Sequence, residues 1–225
     1  SSTAAVYGTP EHVPIPESAP RVPINPYGAT KLTIEFALDA WQRAYGLRWA
    51  ALRYFNAAGA HPDGTLCECH EPETHLIPLA IDAALGRRPP LTIYGDDYPT
   101  PDGTCIRDYI HVQDLAAAHL EALARLEAGT TLGPLNLGTG AGCSVRAVID
   151  AVAEVTGREV PCAIGPRRAG DPAELVADPS RAREVLGWRA QHSALPIIVE
   201  DAVRSRHDTT RASLTTAPPE RRIIP

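Results

Sequence analysis

Residues 25–55 read NPYGATKLTIEFALDAWQRAYGLRWAALRYF, a helix and then a strand. Asn25 is the expected N-cap and Pro26 the first helical position. Leu32, Phe36, Leu38, Trp41 and Tyr45 support the helix, and Gly46 stops it. The apolar run Trp49–Phe55 then suits a buried strand. Upstream, Ala4, Ala5, Val6 and Tyr7 read as the end of another strand, closed by Gly8. Pro10, Pro14, Pro16, Pro20, Pro23 and Pro26 make the connection an ordered surface loop. Downstream, strands are expected at Leu91–Tyr94, Ile106–Val112 and Leu135–Leu137. Helices are expected at Leu76–Leu85, Asp114–Leu126, Val145–Val155, after Asp178-Pro179 up to Gly187, and at Leu195–Arg206. Residues 57–73 read as a loop, Gly95–Thr104 as a turn-rich loop, and residues 208–225 as a disordered tail. Strands alternating with helices predict an α/β class with a mainly parallel sheet. The strand count is low for a doubly wound domain, and the chain starts inside a strand. Both predict a missing N-terminal portion.

The 225 residues correspond to one and a half domains at about 150 each. Apolar residues are 44% and charged residues 21%, a globular composition. Net charge is −6, which argues against a nucleic-acid binder or a basic membrane arm. No apolar run is long enough for a transmembrane helix. Ser1–Val6 lacks the basic start and long apolar stretch of a signal peptide. Five irregularly spaced cysteines predict reduced thiols in a cytoplasm rather than a disulfide framework. Lys31 is the lone lysine among 21 basic residues, which singles it out.

Tyr27 and Lys31 stand four apart in the first turns of the helix, so their side chains share a face. A phenol titrates at about 10. A nearby cation and the helix N-terminus both favour the phenolate, which makes Tyr27 a candidate acid/base near neutral pH. Thr3 lies at the end of the preceding strand, the position where open α/β sheets place ligands. Y-x-x-x-K is common by chance and is equally compatible with a capped helix bearing a solvent-facing lysine.

Ser1-Ser2-Thr3 with Tyr27-x-x-x-Lys31 resembles the Ser/Thr-Tyr-Lys triad of the extended short-chain dehydrogenase/reductases. The segment Arg53-Tyr54-Phe55-Asn56-Ala57-Ala58-Gly59-Ala60-His61 is similar to the UDP-glucose 4-epimerase family, as is the long block from Tyr94 to Val112. Asn136–Gly140 and Arg167–Asp171 follow in that family's order. The resemblance covers roughly residues 1–207. It implies the C-terminal portion of a Rossmann-like doubly wound parallel sheet plus a smaller α/β substrate domain. The NAD-binding part would comprise residues 1–60 and 106–129, and the UDP-sugar part residues 61–105 and 130–207. Family members begin with a Gly-rich NAD-phosphate turn. Here the Gly-rich candidate, Gly138-Thr139-Gly140-Ala141-Gly142, has Cys143 where a third glycine is needed and matches a substrate-domain turn.

The resemblance implies a catalytic set of Thr3, Tyr27 and Lys31, with Phe55 joining them at NAD. Asn56 would contact the diphosphate-sugar, and His75 and Leu76 a substrate loop. Thr92, Ile93 and Tyr94 would bracket the uracil. Arg107 and Arg168 would hold the diphosphate, and Asp171 the uridine ribose. Arginine suits phosphate oxygens. Leu175 replaces an aromatic or a cysteine in the hexose pocket, which leaves acceptance of N-acetylated sugars open. No metal is expected: Cys67, Cys69, His70 and His75 do not form two ligand pairs. His111 and His119 are expected to be structural.

The implied reaction is reversible C4 epimerisation of UDP-glucose and UDP-galactose through a 4-keto sugar, with NAD bound throughout. A UDP-pentose or UDP-N-acetylhexosamine 4-epimerase remains open, as does a nucleotide-sugar-binding module without turnover. A 4,6-dehydratase needs an acid/base pair after the threonine, where Ala4 and Ala5 stand. The 225 residues alone are expected to bind NAD poorly and not to turn over substrate. The resemblance also implies a homodimer through the Pro26–Tyr45 helix.

Overall fold

β1 (Ser2–Thr3) is shorter than its apolar neighbourhood suggests. After Thr3 the backbone turns into one 3-10 turn, Ala4–Val6, and Thr3 Oγ1 accepts the Ala5 N–H at 3.2 Å. The expected strand residues Ala4, Val6 and Tyr7 are instead buried in a cluster with Ile15, Leu32 and Phe55. Their apolar character reports burial rather than extended backbone. The computed structural model describes residues 1–213, with side chains through residue 206.

The Pro-rich loop is stitched to the far half of the chain. Ile15 N donates to Val176 O at 2.8 Å, and Asp178 N donates to Ile15 O at 2.9 Å. Helix α1 (Pro26–Tyr45) follows, capped by Asn25 Oδ1, which accepts the Gly28 N–H at 2.8 Å. Its buried positions are Gly28, Leu32 and Glu35, whereas Phe36, Trp41 and Tyr45 are exposed.

β2 (Ala50–Tyr54) lies between β1 and β7 (Gly133–Leu137) in a parallel sheet. Thr3, Tyr54 and Leu137 are in register, so the carboxyl ends of the three strands form one edge. Helices α3 (Val112–Glu127) and α5 (Ser180–Leu186) pack on this sheet through Leu52, Leu115, Leu135, Leu137 and Leu186. β7 and α5, assigned by sequence to the substrate part, thus belong to the layer built on β1 and β2. Pairing along all of β2 places them there.

The strand expected at 106–112 is split at Asp108. β5 (Ile106–Arg107) pairs with β8 (Cys143–Ser144) and β10 (Glu174–Leu175), while β6 (Tyr109–His111) pairs with β3 (Asn56–Ala58). Val112 is already helical, because His111 Nδ1 caps α3 by accepting the Gln113 N–H at 3.0 Å. β3, β8, β9 (Cys162–Gly165) and β10 were not legible as strands. They are short and carry no long alternating pattern.

β4 (Leu91–Tyr94) pairs in parallel with β9. Helices α2 (Leu76–Ala84), α4 (Val145–Thr156) and α6 (Leu195–Ser213) enclose a second core around Ile81, Val148, Val152 and Ile198. Residues 208–213 of the expected tail continue α6, and the rest of that tail lies outside the described residues. Among the described residues no helix is long and apolar enough to cross a membrane.

Candidate functional site

The first turn of α1 lies directly on the backbone leaving β1. A Cβ placed on Gly28 would stand 2.4 Å from Ala5 O, so only glycine permits this approach. Tyr27 and Lys31 flank that contact. Lys31 Nζ lies 5.9 Å from the centroid of the Tyr27 ring and donates to Ser1 O at 3.1 Å and Ser1 Oγ at 3.3 Å. The Tyr27 side chain is exposed at 57%, and its hydroxyl has no hydrogen bond among the described residues. Thr3 is buried at the same strand edge, its Oγ1 engaged with Ala5 N. The aromatic ring of Phe55 packs in the apolar cluster beneath this edge.

A buried polar network holds α1 to the sheet. Arg53 Nε and Nη2 donate to the two oxygens of Glu35 at 2.9 and 2.6 Å. Ser2 Oγ donates to Glu35 Oε1 at 2.6 Å. Arg53 Nη1 reaches Tyr7 Oη at 2.7 Å, and Tyr7 Oη donates to Asn136 Oδ1 at 2.7 Å. Burial pushes the Glu35 carboxyl up, but hydrogen bonds from Arg53 and Ser2 and the Arg53 and Arg21 charges outweigh it. Glu35 therefore titrates below its ordinary value. Burial raises the Tyr7 phenol. Sequence reading missed Glu35, Arg53 and Tyr7; the available signal was an arginine inside the apolar run Trp49–Phe55.

A cleft of about 330 Å³ opens between β3, the start of α2, β4 and β5. Asn56, His75, Leu76 and Thr92 line one part of it. Tyr94, Arg107, Arg168 and Asp171 line another, with Arg88 and Tyr109 completing the wall. Arg107 pairs with the Asp171 carboxylate and donates from Nη1 to Ile106 O at 2.7 Å. Arg168 stacks its guanidinium 4.0 Å over the Tyr94 ring. Burial pushes the Tyr109 phenol and the Cys105 thiol up. Ile93 is buried and is not among the residues that line the cleft. Leu175 is half-buried opposite Arg107 in the β5–β10 register, outside the lining of this cleft.

The Gly138–Gly142 turn is committed to the protein. Asp108 Oδ1 accepts from Thr139 N at 2.8 Å and Thr139 Oγ1 at 2.6 Å, and Asp108 Oδ2 accepts from Gly140 N at 3.0 Å. A Cβ on Gly138 would fall 2.5 Å from Asp108 Oδ2. The N–H groups that would cradle a phosphate thus hold a carboxylate that joins this turn to the break in the 106–112 segment. Burial raises the Asp108 carboxyl against those hydrogen bonds.

In the loop before α2, the grouped donors are Glu68, His70, Glu73 and His75 rather than the cysteines. His75 Nδ1 lies 2.6 Å from Glu68 Oε1 and 2.9 Å from Glu73 Oε1, so the imidazole is held by carboxylates. The five cysteines are free. His119 links Leu115 O and Tyr54 Oη, and His111 is fully buried at a helix cap.

Among known proteins, a UDP-glucose 4-epimerase of Azospirillum brasilense is 56% identical over 203 residues, covering 90% of this chain and 58% of the relative. The crystal structure of UDP-glucose 4-epimerase from Brucella ovis in complex with NAD superposes with a TM-score of 0.87 at 53% identity, covering 90% of this chain and 62% of that one. UDP-glucose 4-epimerase from Bifidobacterium longum in complex with NAD+ and UDP gives a TM-score of 0.87 at 40% identity, covering 93% and 63%. The chain spans 58–61% of the length of the curated relatives it matches. The sequence pattern of the NAD dependent epimerase/dehydratase family runs through residues 1–138, across the Thr3 edge, the Tyr27–Lys31 pair and the cleft strands, and the chain belongs to that family.

Proposed function

We propose that the chain carries the proton-transfer and UDP-sugar-binding residues of an NAD-dependent UDP-glucose 4-epimerase. The observation that carries this reading is the convergence of Asn56, His75, Leu76, Thr92, Tyr94, Arg107, Arg168 and Asp171 on one cleft, although they are spread over more than a hundred residues of sequence.

The residues at the β1 edge fit a nicotinamide nucleotide. An exposed phenol and an ammonium lie side by side where parallel strands end. An ammonium has three donors, and Ser1 engages Lys31 through two contacts, which leaves a donor for a ribose hydroxyl. When bound, NAD supplies the reversible redox step at the sugar C4. Tyr27 is the acid/base group that takes the proton of the 4-hydroxyl and later returns it, and Thr3 positions that hydroxyl. Lys31 sets its ammonium 5.9 Å from the centre of the Tyr27 ring, beside the group that exchanges the proton. Arg107 and Arg168 anchor the diphosphate while the 4-keto sugar turns over, and Asp171 holds the ribose. Anchoring remote from the reacting carbon lets the intermediate expose its other face without leaving.

Two copies pair through α1, whose exposed Phe36 and Trp41 supply an apolar face. The test is an epimerase assay with UDP-galactose and UDP-N-acetylgalactosamine, using protein expressed from its complete reading frame, beside Tyr27→Phe. Conversion of UDP-galactose that collapses in the variant supports the reading. Near-full rate in Tyr27→Phe overturns the proton-transfer assignment, and turnover of UDP-N-acetylgalactosamine beside UDP-galactose extends the substrate range to N-acetylated sugars.

A further inference from the structure

Arg88 follows α2 and lines the same cleft as Arg107 and Arg168. Its Nε and Nη1 atoms are buried and have no hydrogen-bond partner among the described residues. The residue as a whole is half-buried, and it is these two of its three guanidinium nitrogens that are shut off from water; buried donors of a cation left without a partner are costly. Neighbouring charges do not supply the pair. The carboxylate lining the cleft, Asp171, is engaged by Arg107, and Arg168 rests on Tyr94. Arg87, the adjacent residue in sequence, meets Asp82 at 3.8 Å, so the carboxylate at the end of α2 is shared with Arg87 and Arg206 instead. The cleft wall thus carries three arginines against one aspartate.

We propose that Arg88 is a third phosphate-directed arginine of this cleft, whose unpaired charge is met by the diphosphate of a nucleotide-linked ligand. The inference rests on the nucleotide-sugar reading above and adds a residue to it. A dianion balances the excess of positive charge, whereas a neutral base or sugar hydroxyl leaves the half-buried cation uncompensated. The charge contributes to affinity at the anchor, remote from the Tyr27 hydroxyl, so its loss acts on binding rather than on the proton-transfer step.

The experiment measures UDP and uridine binding by calorimetry, together with thermal melting, for the wild type, Arg88→Met and Arg88→Lys. In Arg88→Met, UDP affinity is expected to fall about 10- to 100-fold, the scale of a lost charge-assisted hydrogen bond. Uridine affinity stays within about twofold, because no phosphate is involved. Arg88→Met melts at or above the wild-type temperature, since an unpaired buried charge has been removed. Arg88→Lys recovers most of the UDP affinity by restoring the charge. UDP affinity unchanged in Arg88→Met, equal losses for UDP and uridine, or a lowered melting temperature in Arg88→Met would each overturn the proposal. So would an Arg88→Lys that binds UDP no better than Arg88→Met. A wild type that binds neither ligand overturns the nucleotide-sugar reading itself, and that failure is visible before any variant is made.

Discussion

Glu35 and Arg53 face one another as a two-pronged ion pair sealed from solvent, one on α1 and the other on β2. The pair ties the helix that carries Tyr27 and Lys31 to the strand beside Thr3. Ser2 shares the carboxylate, and Tyr7 and Asn136 continue the network to β7.

Removing one partner leaves the other buried and uncompensated. Glu35→Ala is therefore expected to lower stability by about 3–5 kcal/mol. The double variant Glu35→Leu/Arg53→Met, with similar volume and no charge, should recover most of that loss. Urea unfolding of the three proteins checks both statements, and a single variant as stable as wild type would remove the network from the account.

Glu35 also sets a direction for acid. Its carboxyl titrates below the ordinary value of 4.5 in the folded chain, so the unfolded chain binds its proton first as pH falls. Its stabilising contribution is complete above pH 4.5 and is lost as pH falls through the folded-state value. The His111 imidazole, lowered by burial despite the Asp201 and Asp114 charges, acts with the same sign below 6.5. Urea midpoints are expected to decline from pH 7 towards pH 4. In Glu35→Gln, the part of the decline below pH 4.5 is expected to flatten.

Tyr27→Phe should separate chemistry from folding. The ring is largely exposed and its hydroxyl makes no hydrogen bond among the described residues, so thermal melting is expected to be unchanged. Epimerase turnover is expected to drop about 10²- to 10⁴-fold, the range for loss of a positioned acid/base group. Steady-state kinetics beside a melting curve provides the check.

Gly28→Ala tests the contact that sets α1 on β1. The added Cβ would meet Ala5 O at 2.4 Å and Pro23 Cβ at 3.0 Å. The helix must shift, and overpacking of this kind costs about 1–3 kcal/mol. Stability and turnover should fall together, because the shift moves Tyr27 and Lys31 relative to Thr3. A variant with wild-type melting and rate would show that the approach is not tight.

The capped helix from Asn25 to Gly46 was legible because its caps are local: one side chain accepting one N–H, and one glycine able to turn the chain. The helix at Val145–Thr156 was legible from its apolar spacing and the glycine that ends it, Gly157, and the structure adds a cap at its start, where Ser144 Oγ accepts the Ala147 N–H at 3.1 Å. Ala4–Val6 misled because an apolar run looks alike in a strand and in a buried 3-10 turn. The break at Asp108 was illegible because its cause sits some thirty residues away, in the N–H groups of Thr139 and Gly140. The cleft residues were nameable from sequence through family resemblance, whereas the unpaired donors of Arg88 become visible only when every neighbour has a position.

Sequence by itself determined the α/β alternation, the shared helical face of Tyr27 and Lys31, and the candidate cleft residues, because periods, caps and motifs are written over short spans. Tertiary structure alone decided that Glu35 neutralises Arg53, that Asp108 occupies the Gly-rich turn, and that three arginines share one wall. Those outcomes depend on which charges lose water beside which others, and desolvation is a property of the packed chain rather than of any segment within it.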